Sequence, residues 1–212
     1  VPVNDAPDAT VESRNVTEDT ATALSPTLPT EVEDVAANLT MTVTQVPTPA
    51  QGQLTYTPDG GGTGTVAVAT TLTTTELASV TFTPVADYDG AVDAFNYTVT
   101  DDDGLSDAGS NGSVAIVMVP VNDAPDATVE SRNVTEDTAT ALSPTLPTDV
   151  DDIAANLTIT VTQVPTPAQG VMTYTPDGGG TGTVAVATTL TTTEHATVTF
   201  TPVADYDGTV EA

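Results

Sequence analysis

Short acidic turns are the segments of this chain whose residue types best suit chemistry. Residues 87–90 and 205–208 both read Asp-Tyr-Asp-Gly, and residues 101–104 read Asp-Asp-Asp-Gly. Hard cations such as Ca²⁺ bind about six to eight oxygen atoms, and turns of this kind supply several from one loop. A single such turn is weak evidence because aspartate and glycine are ordinary turn residues, whereas several at one end of a domain predict a calcium site. The candidate ligands in these turns are Asp87, Asp89, Asp101, Asp103, Asp205 and Asp207.

The charge balance narrows the classes of partner. The chain has 30 acidic residues and only two basic ones, Arg14 and Arg132, for a formal net charge of −28. We expect no nucleic-acid partner and no direct membrane contact, because both phosphate backbones and anionic lipids need clustered Lys and Arg. Such an imbalance is typical either of a disordered chain or of one whose acids bind cations. Because 38% of the residues are hydrophobic and many of them alternate with polar ones, we expect a folded protein.

The chain is an internal repeat. Residues 1–94 return as residues 119–212, and only ten of these 94 positions differ. A period of 118 residues is long enough for a domain with its own core. We therefore predict a first repeat over residues 1–118, a linker over 119–125, and a second repeat over 126–212. The second repeat has no counterpart of residues 95–118, which hold the last two predicted strands of the first.

Alternation of apolar and polar residues predicts an all-β fold. Each complete repeat has seven short runs rich in β-branched and aromatic residues, separated by Gly, Pro and Asp turns. We find no useful helical period. Seven strands at this spacing predict tandem Greek-key β-sandwiches of the immunoglobulin-like type. The predicted strands, labelled A to G, are residues 9–16, 39–46, 53–57, 65–70, 78–83, 94–100 and 113–119.

Alternating strand directions then predict where each acidic loop lies. The A–B, C–D and E–F loops are expected at the C-terminal end of the domain, and the F–G loop at its N-terminal end. The first group contains Glu18, Asp19, Glu31, Glu33, Asp34, Asp59, Asp87 and Asp89, and the second contains Asp101, Asp102, Asp103 and Asp107.

Three motifs give the chain a resemblance to a known family. Residues 119–125 read Val-Pro-Val-Asn-Asp-Ala-Pro, as do residues 1–7, and they accompany Thr-Glu-Asp-Thr at 17–20 and the acidic run at 101–104. The chain thereby resembles the cadherin-like tandem repeats of giant, secreted bacterial adhesins of the repeats-in-toxin type. The linker is also similar to the cadherin interdomain motif. The Leu-Asp-Arg-Glu motif of cadherins is absent, so we expect the coordination to differ in detail.

The resemblance implies that Ca²⁺ stiffens the junction between neighbouring repeats, which are the expected partners. Its ligands would be Glu18, Asp87 and Asp89 from one unit, Asn122 and Asp123 from the linker, and F–G loop acids from the following unit. Asp19 and the second-repeat residues Glu136 and Asp137 complete the candidates. The implied function is a spacer in a protein of the cell surface that projects a distal ligand-binding domain.

Two alternatives belong to other classes. The repeats could themselves bind a carbohydrate or a cell-surface protein, but a sugar site needs an exposed aromatic platform, and only 4% of the residues are aromatic. We do not expect an enzyme, because His195 is the only histidine and its counterpart in the first repeat is Leu77. We interpret that histidine as a tolerated surface substitution.

Overall fold

A computed structural model describes residues 4–32, 35–106 and 108–210 of the chain. The predicted loop acids Glu33, Asp34 and Asp107 lie outside the described residues. The fold is all-β, as predicted, and divides into two compact units, Val1–Val121 and Asn122–Ala212.

The first unit contains nine strands and a short α-helix among its described residues. The helix, α1, spans Thr74–Ala78, and 3₁₀ turns occupy Ala36–Asn38 and Ala108–Ser110. The strands are β1 (Val11–Thr17), β2 (Thr22–Ala23), β3 (Thr40–Gln45), β4 (Gly52–Tyr56), β5 (Gly64–Thr65), β6 (Thr71–Leu72), β7 (Thr81–Pro84), β8 (Phe95–Thr100) and β9 (Asn111–Val119).

These strands form two sheets that enclose one core. The five-stranded sheet has the order β1-β9-β8-β3-β6, and the four-stranded sheet has the order β2-β7-β4-β5. Strand β1 pairs with β9 in parallel, from Val11 opposite Ser113 to Thr17 opposite Val119. A single buried cluster contains Met41 and Val99 of the first sheet and Phe82 of the second. The sheets therefore pack face to face as a sandwich.

The strand predictions hold best where alternation is longest. The predicted strands 39–46, 94–100 and 113–119 correspond to β3, β8 and β9, whereas the predicted strand 65–70 forms only the short β5 at its start. The predicted strand 78–83 begins instead at the end of α1. That helix starts with a capping box, because the Thr73 hydroxyl accepts from the Glu76 amide and the Glu76 carboxylate accepts from the Thr73 amide.

Strand β2 was not predicted. Because it adds a strand before β3, the direction of β3 is opposite to the predicted one. Strand β3 is antiparallel to β8, β8 is antiparallel to β9, and β9 is parallel to β1. Strand β3 therefore runs in the same direction as β1, so the segment before it lies at the N-terminal end. Thr30 accordingly forms an isolated bridge with Asp8, which places Glu31 at that end and corrects its predicted position.

The same correction applies to Asp59. Its amide donates to the Glu76 carboxylate at 3.2 Å, and its own carboxylate accepts from Thr73 at 3.3 Å. Both partners flank the start of α1, ahead of β7, whereas Asp87 follows the end of β7. Asp59 and Asp87 therefore lie at opposite ends of the unit.

The second unit repeats the central elements of the first. Its strands are β10 (Thr140–Ala141), β11 (Thr158–Thr160), β12 (Gly170–Tyr174), β13 (Gly182–Thr183), β14 (Thr189–Thr191) and β15 (Thr199–Pro202), with helix α2 at Thr192–His195 and a 3₁₀ turn at Ala154–Asn156. Residues 129–135, the counterparts of β1, are described but form no strand. In the first unit β1 pairs with β9.

Candidate metal centre

Two adjacent acids follow the end of β1. Glu18 is only 1% exposed, and its amide donates to the Val119 carbonyl at 3.1 Å, where β9 also ends. Asp19 is exposed and has a left-handed backbone with φ 57°. One carboxylate oxygen of Glu18 lies within 4.8 Å of one of Asp19. Two carboxylates therefore face a common point where β9 leads into the linker.

The Asp-Tyr-Asp-Gly turn joins this end of the unit through its backbone. The Asp87 amide donates to the Asp19 carboxylate at 3.0 Å, and Asp87 itself has φ 57°. The Tyr88 hydroxyl donates to the Ala91 carbonyl at 2.7 Å, which closes the turn. The side chains of Asp87 and Asp89 are exposed. Among the described residues, no cluster of three acidic side chains includes either of them.

Two neighbouring acids, one of them buried, dominate the charge at this site. Removing a carboxylate from water is costly unless hydrogen bonds or an opposite charge compensate. Arg14 is the single basic residue of the first unit, and its guanidinium binds Glu12 and the carbonyls of Leu24 and Ser25. The basic side chain of the unit is therefore engaged elsewhere. A small divalent ion would offset both the burial of Glu18 and its repulsion of Asp19.

A second group of polar residues occupies the N-terminal end of the first unit. Asp101, which is buried, accepts from the Leu105 amide at 2.6 Å and from the Asn4 side chain at 2.7 Å. Burial alone would raise the pKa of Asp101, but these hydrogen bonds outweigh it and hold the pKa below its ordinary value. Asp103 is exposed. The acidic loop thus lies beside the N-terminal segment, on the side that strand alternation predicts.

Sequence analysis did not identify Asn4 as a candidate site residue. It is the first-repeat counterpart of Asn122, which the linker motif singled out, and the 118-residue period would have identified it. Its amide group anchors the acidic loop in the first unit. In the second unit the Asn122 side chain instead donates to the Asp123 carbonyl at 2.8 Å. The half-buried Asp123 donates its own amide to the Asp151 carboxylate at 2.6 Å.

The second unit repeats the turn geometry but not the burial. The Asp205 amide donates to the Asp137 carboxylate at 3.0 Å, with φ values of 60° and 58° for the two residues. Glu136 and Asp207 are exposed. The turn geometry is therefore local to the repeat, whereas burial of the glutamate accompanies the paired strands β1 and β9. Among the described residues, no cluster of three acidic side chains includes any one of Glu136, Asp137, Asp205 and Asp207.

Comparison of the chain with protein-family models and with curated proteins found no match. No helix in the described part of the chain combines the length and apolar character needed to cross a membrane.

Proposed function

We propose that this chain is a pair of spacer modules from a secreted, cell-surface adhesin, stiffened by Ca²⁺ where one module meets the next. The observation that carries the proposal is the buried Glu18 carboxylate beside Asp19, at the point where β9 leads into the linker. The near-identity of the two repeats supports a mechanical role, since a long uniform array needs no special unit. The neighbouring repeats of the same chain are then the partners of each module.

Glu18 and Asp19 would supply the first ligands, and the linker would supply the next. The Val119 carbonyl accepts from the Glu18 amide, and Asp123 follows Val119 by only four residues. Four residues of chain span at most about 14 Å, so the Asp123 carboxylate is always within a short reach of Glu18. We propose that an ion bound by Glu18, Asp19 and Asp123 holds the linker against the end of β1. Asp87, Asp89 and Asn122 would take part through water or a rearranged turn.

The aromatic residues favour the spacer over a carbohydrate-binding module. All five tyrosines and three phenylalanines lie in the described part of the chain, and none of them is exposed. A sugar-binding surface depends on exposed aromatic rings that stack on the apolar faces of the sugar. The distal ligand of the parent protein would therefore be bound by a different domain.

Calcium titration followed by thermal unfolding and small-angle scattering tests the proposal. With Kd of about 10⁻⁴–10⁻³ M, Ca²⁺ at ~100 times Kd adds roughly 2.7 kcal/mol per site. For a unit of this size that raises Tm by roughly 10 °C. We also expect the maximum dimension of the chain, measured by small-angle scattering, to vary less with solution conditions once calcium is bound. If EGTA changes neither Tm nor the scattering, the proposal fails.

A matched pair of variants locates the ion. Glu18→Gln keeps the size of the side chain but removes its charge, so we expect the calcium-dependent rise in Tm of the first unit to disappear. Glu136→Gln makes the same change at the exposed counterpart, and the calcium response of the first unit should persist. Equal responses of the two variants would place the ion elsewhere.

A further inference from the structure

The first and last strands of the first unit lie side by side and run in the same direction. Strand β1 pairs with β9 in parallel along its whole length of seven residues. At one end of this ladder the Ser113 amide donates to the Thr10 carbonyl at 3.0 Å. At the other end the Glu18 amide donates to the Val119 carbonyl at 3.1 Å. The chain enters the unit through β1 and leaves it from β9 into the linker, so a pull along the chain acts on these two strands first.

The parallel arrangement decides how such a pull is resisted. The segment before β1 is pulled away at the N-terminal end of the unit, and the linker after β9 is pulled away at the C-terminal end. Because the two strands are parallel, these forces slide one strand along the other and stretch all the evenly spaced hydrogen bonds of the ladder at once. Two forces applied at the same end of the pair would instead open the bonds one after another. The chain is therefore connected to the ladder in its strong direction.

Further contacts resist the same sliding motion. The segment before β1 is tied to the start of β9, because the buried Ser110 hydroxyl donates to the Pro7 carbonyl at 2.6 Å. The Ala9 amide donates to the Gly109 carbonyl at 3.0 Å in the same region. Beneath the ladder, Val16 is fully buried in the core cluster. Sliding β1 along β9 would break these bonds and expose apolar surface to water.

We propose that the β1–β9 ladder is the tension-bearing element of the first unit and keeps the unit folded while the chain is pulled along its length. Forced unfolding is governed by the rate at which the structure opens, so this resistance depends on the direction of the force and not only on thermodynamic stability. The ladder lies within one unit and consists of protein atoms alone. Its use in a spacer that is pulled from both ends rests on the function proposed above, whereas the resistance itself does not.

Single-molecule force spectroscopy on the full chain tests the proposal by pulling the same unit in two directions. The chain contains no cysteine, so two added cysteines define where the force is applied. Val11→Cys with Val119→Cys loads the ladder along its length, whereas Val11→Cys with Asn111→Cys opens it from one end, and all three positions are exposed. We expect the unfolding force to be at least about twofold higher in the first direction. Equal forces, or a difference that merely follows a difference in Tm between the two double variants, overturn the proposal.

A matched pair of proline variants tests the ladder itself. Counted in steps of two from Ser113, the Val117 amide also faces β1, so Val117→Pro removes one bond of the ladder. Thr83→Pro is the control, because the Thr83 amide, two residues before that of Val85, faces β4 in the other sheet. We expect Val117→Pro to lower the lengthwise unfolding force more than Thr83→Pro does. Equal reductions by the two variants contradict the proposal.

The same pulls in EGTA separate the ladder from the proposed calcium site. An ion at Glu18 cannot contribute under these conditions, so a directional difference that persists in EGTA supports the ladder whether or not Ca²⁺ stiffens the junction. Loss of the difference in EGTA would assign the resistance to the ion and overturn the proposal.

Discussion

A single arginine in each repeat clamps the segment that follows the second strand of the fold. The Arg14 guanidinium donates to the Leu24 carbonyl at 2.8 Å, to the Ser25 carbonyl at 3.0 Å and to Glu12 at 2.8 Å. Arg132 binds the counterparts of these residues in the second unit. A planar guanidinium can meet several acceptors at once, which a lysine ammonium cannot do in the same geometry. The guanidinium groups of Arg14 and Arg132 therefore stabilise the fold of their units.

Glu12 completes this clamp. Its carboxylate accepts from the Thr27 amide at 2.7 Å and from the Thr27 hydroxyl at 3.0 Å. Burial alone would raise the pKa of Glu12, but the bonds from Thr27 and Arg14 outweigh that effect and lower the pKa. The carboxylate therefore remains ionised, and the arginine stays engaged, over the neutral pH range.

His195 lies in a different environment from its counterpart in the first unit. It is half-buried, whereas Leu77 is fully buried in the core. Burial lowers the pKa of His195, and the nearby Glu130 only partly opposes this effect. The folded second unit therefore favours neutral histidine, whereas the unfolded chain keeps the ordinary value near 6.5. The unfolded state binds more protons below about pH 7.5, so the second unit should lose stability as the pH falls through the unfolded pKa.

We expect His195→Leu to remove this pH dependence and to stabilise the second unit. The measurement is thermal unfolding between about pH 7.5 and 5.5, above the range in which most carboxylates titrate. Hydrogen exchange assigns each transition to its unit. The reciprocal variant Leu77→His should make the first unit sensitive to pH in the same direction. An unchanged pH profile of His195→Leu would show that His195 has no part in it.

At the scale of elements, the β8–β9 pair depends on a glycine. Gly112 lies directly opposite Tyr97, and a Cβ at that position would overlap the tyrosine ring. Burial raises the pKa of Tyr97 to about 12, as expected for a ring enclosed in the core. We expect Gly112→Ala to destabilise the first unit by about 1–3 kcal/mol. Gly60→Ala is the control, because nothing lies within 4 Å of its added Cβ, and it should change stability by less than about 0.5 kcal/mol.

Urea unfolding of the two glycine variants measures this difference. Similar midpoints for both would mean that Tyr97 can move aside without cost, and that the ring does not fix the packing of β8 on β9.

The long strands of the fold could be predicted from the sequence, but the two-residue strand β2 could not. Strands β8 and β9 were predicted because six to nine alternating residues produce a clear period. Strand β2 has only two residues, and its pairing with β7 defines it. A pairing of this kind depends on residues far apart in the chain and leaves no local pattern. Because strand alternation was counted without β2, it placed Glu31 and Asp59 at the wrong end of the domain.

Prediction of the candidate metal centre had the same limits. The resemblance of the linker and its surroundings identified Glu18, but only the fold shows that Glu18 is buried where β1 and β9 end together. The Asp-Tyr-Asp-Gly turn is predicted to offer its carboxylates, which are exposed. The turn also presents the Asp87 amide to the Asp19 carboxylate, a contact that the sequence does not indicate.

At the scale of the whole molecule, a net charge of −28 must be balanced by ions from solution. At low salt the Debye length is about 30 Å, so the carboxylates of a unit repel one another across its whole width. Added NaCl should therefore raise Tm by general screening. We expect CaCl₂ to raise Tm further than NaCl of equal ionic strength, because clustered carboxylates gain more from a coordinated ion than from a diffuse one.

MgCl₂ is the matched control, since Mg²⁺ has the same charge but gives up its bound water reluctantly. Thermal unfolding in the three salts gives the comparison. If MgCl₂ and CaCl₂ raise Tm equally, screening accounts for the stabilisation and no specific calcium site is needed. If CaCl₂ alone gives the larger shift, and Glu18→Gln removes the difference, a bound ion stabilises the end of β1.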